Sequence, residues 1–145
     1  MPVISYSSLS EEPPLLGVSC SKGSFTLKVV TESRAFSICL VDERQLHSVS
    51  VLASRKGRPG TDKLADAGLK HRRGKKLGAP VILGTAAALE CSLKRSISLG
   101  DHVLLIGRIE SALASADFRE YWRFDSYRPL LYSGWQNGMR LYRGA

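Results

Sequence analysis

Alternating apolar and polar positions in the second half of the chain predict two adjacent β-strands. Between residues 88 and 97, one face carries apolar side chains: Leu89, Cys91, Leu93 and Ile97. The other face carries polar side chains: Glu90, Ser92, Lys94 and Ser96. A period of two is typical of a half-buried strand. The next run, 102–110, is more apolar on both faces, which predicts deeper burial. Since the connector 98–101 contains Gly and Asp, the two runs are predicted to form an antiparallel hairpin.

The other apolar runs predict further strands separated by short helices. Strands are expected over 15–20 and 35–41, and residues 79–83 lead into the hairpin. Ser24 or Thr26 is a suitable N-cap for a short helix, and Asp42 is a suitable cap for an amphipathic helix over 43–52. The hydrophobic pattern therefore predicts a mainly β chain with a few short helices.

Length and composition favour one globular domain spanning residues 1–145. Apolar residues make up 43% of the chain, and no apolar run approaches the ~20 residues of a membrane helix. The first residues lack the pattern of a signal peptide. Cys20, Cys39 and Cys91 stand singly in apolar runs, which argues against a disulfide framework or a zinc site. We therefore expect buried, reduced thiols, no bound metal and a cytoplasmic location.

The net charge of +8 is concentrated in one segment. Residues 55–76 contain nine Lys or Arg and two Asp, a local balance of +7. Such a segment attracts anions, and a nucleic-acid-binding module is one interpretation. No aromatic residue is interleaved with the cations, which favours a solvated, mobile surface loop over 70–76.

Two other segments are candidate binding elements. Residues 22–26 place a lysine, a glycine and hydroxyls at a helix start, where free N–H groups attract anions. Residues 5–10 are rich in serine and precede Pro13 and Pro14. A plain capped helix and an ordinary loop are the alternative interpretations.

Several motifs occur in order along the chain: Pro13-Pro14 before a strand, Leu89-Glu90-Cys91 and Gly100-Asp101-His102 in the hairpin, Ile106-Gly107-Arg108 after it, and Arg128-Pro129-Leu130-Leu131-Tyr132 with a turn at Gly134. Together they resemble the flavin reductase-like family, whose members bind FMN in a split β-barrel. The resemblance implies a mainly β, Greek-key split barrel of the FMN-binding type with a few short α-helices. Members of the family usually carry two strands before the serine-rich segment, so we expect a shortened or misassigned N-terminus and weaker FMN binding.

The resemblance also implies site residues. The expected cofactor-binding residues are Ser5, Tyr6, Ser7, Ser8, Lys22, Ser24, Phe25, Thr26, Arg58 and Lys63. Asp101 and His102 would face the flavin or the nicotinamide as catalytic residues. For His102, a strand-end histidine bonded to the backbone is the alternative.

The activity implied by the resemblance is that of an NAD(P)H:flavin oxidoreductase. Hydride would pass from nicotinamide to FMN, so the chain needs no acid–base pair of its own. No G-x-G-x-x-G motif is present, so a Rossmann domain is not expected. The expected assembly is a C2 homodimer, with a monooxygenase component as a candidate partner and no membrane association. A non-catalytic flavin carrier, a ferric reductase and a nucleic-acid-binding module remain the alternatives.

Overall fold

The computed structural model describes residues 1–118, 123, 125–136 and 139–144. The strands are β1 (Tyr6–Ser10), β2 (Leu15–Ser21), β3 (Ala35–Leu40), β4 (His71–Arg73), β5 (Pro80–Ile82), β6 (Ala87–Leu99), β7 (His102–Ala114), β8 (Leu130–Gln136) and β9 (Met139–Gly144). The helices are α1 (Phe25–Ser33), α2 (Leu46–Ser54) and α3 (Lys63–Asp66), with a 3-10 helix over Glu43–Gln45 before α2. The prediction of a mainly β fold with a few short helices is confirmed.

The main sheet has five strands in the order β1-β2-β7-β6-β3, and all its pairings are antiparallel. Two smaller hairpins, β4–β5 and β8–β9, accompany it. The predicted β6–β7 hairpin is confirmed, and its turn uses the positive φ of 51° at Gly100. Strand β3 forms one edge of the sheet and pairs with β6.

The core lies between one sheet face and α1. It contains Leu16, Val18, Cys20, Val30, Phe36, Ile38, Cys91, Leu93 and Leu105. Cys20 and Cys91 are buried as predicted, whereas Cys39 is half-buried. Burial raises the pKa of Cys91 to about 11, so this thiol stays protonated at neutral pH.

The polar face predicted for β6 is wrong at Glu90. Glu90 is only 2% exposed, and its carboxylate accepts hydrogen bonds from the backbone N–H groups of Lys76, at 3.2 Å, and Leu77, at 2.8 Å. The register shifts beside Glu90 and again after Leu93, so strict alternation fails. The β7 strand is also not the more deeply buried one, because β6 contains more buried positions.

Two segments expected to be loops contain strands. Most of the serine-rich segment forms β1, which pairs with β2. The basic segment over 70–76 includes β4, which pairs with β5, and the backbone N–H of Gly74 donates to the carbonyl of Ala79 at 2.8 Å. The sequence did not reveal this pairing, because each strand is only three residues long and too short to show an alternating pattern. Gly134 lies at a register shift inside β8 and is not a turn between strands.

The predicted helix caps are confirmed. The Ser24 hydroxyl accepts from the backbone N–H of Leu27 at 3.2 Å and caps α1. Asp42 caps the 3-10 helix that leads into α2, and the predicted helix over 43–52 therefore begins as a 3-10 turn and continues to Ser54. In the described part of the chain, no helix has the length and apolar character needed to cross a bilayer.

Candidate functional site

A cavity of about 880 Å³ lies along β3 and is the candidate ligand site. Its walls come from α1, β3, α2, β5, the segment 57–64, residues 1–4 with Tyr6, and the segment 127–132. Cavities of roughly 300–1,000 Å³ with mainly apolar walls are typical of small-molecule and cofactor sites. The cavity therefore has the size and character of a site for a nucleotide-sized ligand.

The start of α1 supplies one wall. The Ser24 cap fixes the first turn, and the next two residues, Phe25 and Thr26, line the cavity. Gly57 packs against this turn, since a Cβ added there would lie 3.1 Å from the Phe25 ring. The close approach holds the backbone beside Phe25 and places the following residue, Arg58, in the cavity wall.

The cavity wall also includes two cationic side chains, Arg58 and Lys63. Lys63 is the first residue of α3, and Asp62 caps that helix by accepting from the N–H groups of Leu64 and Ala65, each at 3.1 Å. Burial lowers the pKa of Lys63, which means that its charged form is poorly solvated. An anion in the cavity would offset this cost.

Two polar groups of β3 lie in the same wall. The Ser37 hydroxyl is the one buried side-chain oxygen or nitrogen of the described residues without a hydrogen-bond partner. The Cys39 sulfur accepts from the backbone N–H of Ile82 at 3.4 Å, and burial raises the pKa of its thiol. Strand β3 thus adds one serine and one protonated thiol to the mainly apolar residues of the wall.

The cavity brings together five of the ten expected cofactor-binding residues: Tyr6, Phe25, Thr26, Arg58 and Lys63. The remaining five are not part of its lining: Ser5, Ser7, Ser8, Lys22 and Ser24. The three serines belong to the exposed N-terminal segment and β1, and Ser24 acts through the cap of α1. The cofactor-binding role of all ten residues stays a prediction.

Asp101 and His102 lie at the β6–β7 turn, outside the cavity lining. The His102 Nδ1 is 2.8 Å from the Asp101 carboxylate, and this hydrogen bond lowers the pKa of Asp101, with the His102 charge adding to the effect. The Asp101 carbonyl accepts from the Lys22 N–H at 3.0 Å. These residues form a second polar group near the start of α1, and their catalytic role also stays a prediction.

Several cavity residues could not be identified from sequence. Apolar walls are supplied by Val29, Val41, Leu52, Tyr127 and Leu131, which come from four separate parts of the chain. The one available signal was the concentration of aromatic residues near the C-terminus. Apolar residues of this kind look like core positions until the folded chain leaves a space beside them.

Comparison with known proteins identifies the family. The flavin reductase like domain matches residues 1–136. A probable flavin reductase from Rhizobium meliloti is 35% identical over 105 residues, which cover 72% of this chain and 32% of the relative. An NADH:FMN oxidoreductase from Rhodococcus erythropolis is 31% identical over 113 residues, which cover 78% of this chain and 56% of the relative.

A solved structure gives the same result. The FMN-binding protein from Thermus thermophilus, with bound p-hydroxybenzaldehyde, superposes with a TM-score of 0.79 at 29% identity, over 97% of this chain and 75% of that one. The present chain spans about half the length, or less, of the first curated relatives it matches. Since the matched region includes nearly every element described above, the chain belongs to the flavin reductase like domain family.

Proposed function

We propose that this chain binds FMN in the cavity along β3 and acts as an NAD(P)H:flavin oxidoreductase. The observation that carries the proposal is the combination of apolar walls with Arg58 and Lys63 in one cavity of about 880 Å³. Relatives named flavin reductase and NADH:FMN oxidoreductase support the reaction class. When bound, FMN supplies a ring that accepts hydride from a reduced nicotinamide and passes the electrons to an acceptor.

The residues present fit a flavin nucleotide. Phe25 and the aliphatic side chains of α1 and α2 offer an apolar surface for a planar ring, which would be removed from water there. The poorly solvated Lys63 ammonium offers a charge for the phosphate.

In this reaction the chain positions the reactants and excludes water. Arg58 and Lys63 attract the phosphate, and the apolar walls limit access of water to the ring. Since hydride transfer uses the cofactor's own chemistry, no residue of the cavity is required to exchange a proton with substrate.

We also propose that a second copy of the chain covers the cavity mouth. Six apolar residues of the lining are at least 39% exposed: Met1, Ile4, Tyr6, Val29, Leu131 and Tyr132. A contiguous exposed apolar surface of this kind is typical of protein interfaces. Light scattering on the purified chain should give the mass of a dimer, and a monomer at micromolar concentration would contradict this part of the proposal.

The experiment is a titration of the purified chain with FMN and, separately, with riboflavin, followed by a test of NADH and NADPH oxidation. Saturable FMN binding and flavin-dependent oxidation are expected. The Lys63→Ala variant should bind FMN about tenfold more weakly, equivalent to ~1.4 kcal/mol. Its affinity for riboflavin should not change, because riboflavin lacks the phosphate.

Lys56→Ala is the matched control. Lys56 is exposed, lies in the same basic segment and is not part of the cavity lining. Its loss should leave FMN affinity unchanged. A folded protein that does not bind FMN, or a Lys63→Ala variant that loses FMN and riboflavin equally, would contradict the proposed site.

A further inference from the structure

The His71 side chain lies between two hydrogen-bond acceptors. Its Nε2 is 3.1 Å from the Asp62 carboxylate and its Nδ1 is 3.1 Å from the carbonyl oxygen of Leu69. Carboxylate and carbonyl oxygens accept hydrogen bonds and do not donate them. Because a neutral imidazole has one N–H, only the doubly protonated ring satisfies both contacts.

Asp62 connects His71 to the cavity wall. One carboxylate oxygen faces His71, and the other accepts from the N–H groups of Leu64 and Ala65. Lys63 and Leu64 line the cavity. The histidine therefore contacts the same carboxylate that fixes the first turn of α3. Lys63, a cation of the cavity wall, is the next residue after Asp62.

Other charged groups near His71 are directed elsewhere or are cationic. On α3, Asp66 pairs with Arg55 at 3.8 Å. The neighbours of His71 in sequence are Lys70 and Arg72, and the paired strand β5 carries no ionisable side chain. Among the described residues, Asp62 is therefore the carboxylate that pairs with the ring.

We propose that His71 is a positioning residue for the cavity: in its doubly protonated form it holds Asp62 and α3 so that Lys63 meets the ligand phosphate. The inference rests on the proposed binding of FMN and adds a pH dependence to it. Loss of the ring proton removes one of the two contacts and loosens α3. FMN affinity should therefore be higher at acid pH, where the doubly protonated ring is available, than at alkaline pH, where it is not.

The expected effect is small and measurable. The His71 side chain is 24% exposed and that of Asp62 is 55% exposed, so the pair should supply about a two- to fivefold difference in FMN affinity. The phosphate of FMN also titrates in this range. The proposal therefore concerns the difference between wild type and variant at each pH, in which the ligand's own titration cancels.

The first experiment measures FMN affinity against pH for wild type, His71→Gln and His47→Gln. His47 is exposed on α2 and is the matched control. Wild type and His47→Gln should share one pH profile, and His71→Gln should lose about two- to fivefold at the acid end and nothing at the alkaline end. A constant loss across pH would indicate a merely structural role, and superposable profiles would indicate none; either result overturns the proposal.

The second experiment uses the ligand-free protein. Amide hydrogen exchange of Leu64 and Ala65, expressed as protection relative to an unfolded chain at the same pH, should decrease with rising pH in wild type and stay constant in His71→Gln. Equal protection in both proteins at every pH overturns the proposal. If wild type does not bind FMN at any pH, the proposed function fails, and these exchange data decide the positioning role of His71 by themselves.

Discussion

Replacing Glu90 by Ala should destabilise the protein by releasing the turn between β4 and β5. The Glu90 carboxylate is buried under this turn and accepts from two backbone N–H groups, those of Lys76 and Leu77. Gly74 lies against the same carboxylate so closely that an added Cβ would collide with it. The Glu90 side chain therefore holds the backbone of this turn against the sheet.

The magnitude follows from the donors that lose their acceptor. A buried donor left unpaired costs about 1–3 kcal/mol. The Leu77 N–H lies 2.8 Å from the Glu90 carboxylate, and Leu77 is half-buried. Loss of this acceptor should therefore account for most of the cost. Lys76 is exposed, so water can replace part of its longer contact. We therefore expect Glu90→Ala to lower the free energy of unfolding by about 2–4 kcal/mol, whereas Glu90→Gln, which keeps an acceptor oxygen, should cost about half as much.

Urea denaturation with linear extrapolation measures the change, and hydrogen exchange at Lys76 and Leu77 locates it. Glu32→Ala is the matched control. Glu32 pairs with Lys28 at 3.9 Å, and both side chains are about two-thirds exposed, so its loss should change stability by less than about 0.5 kcal/mol. The reasoning would be refuted if Glu90→Ala changed stability no more than Glu32→Ala, or if exchange at Lys76 and Leu77 did not accelerate.

Three further substitutions test the core, a helix cap and the pH dependence of folding. Gly107→Ala would place a Cβ 2.5 Å from the Phe36 ring, and the overpacking should lower stability by about 1–3 kcal/mol; an unchanged Tm would contradict this. Ser24→Ala removes the cap of α1 and should cost about 1 kcal/mol in urea denaturation, with Ser50→Ala, on the exposed side of α2, as a neutral control. The hydrogen bond from Arg44 lowers the pKa of Asp42, so its contribution is present above the ordinary aspartate pKa of about 3.9 and is lost as pH falls through the lower folded value. The stability difference between wild type and Asp42→Asn should therefore shrink with acidification, and a pH-independent difference would argue against the pairing.

Local patterns in the sequence were sufficient for the elements that local physics specifies. The β6–β7 hairpin follows from alternation on both sides of a Gly-Asp turn. The caps at Ser24 and Asp42 follow because each side chain bonds to an amide within three residues. Motif order along the whole chain was enough to predict the family.

Tertiary structure alone decided which polar groups are buried and which apolar groups remain open. The alternating pattern predicts that Glu90 is exposed to solvent. The backbone N–H groups that donate to its carboxylate lie in a turn more than ten residues earlier in the chain. His71 reads as one charge in a basic segment, but folding brings it to the Asp62 carboxylate.

The cavity depends most strongly on the tertiary structure. Its lining extends from the first residues to the segment 127–132, and each of its apolar side chains resembles an ordinary core residue in sequence. Whether such a residue contacts a neighbour or borders a space depends on how distant elements pack. The sequence therefore determined most of the main-sheet strands, the caps and the family. The packing of remote segments determined the cavity, because burial is a property of the assembled fold and not of local spacing.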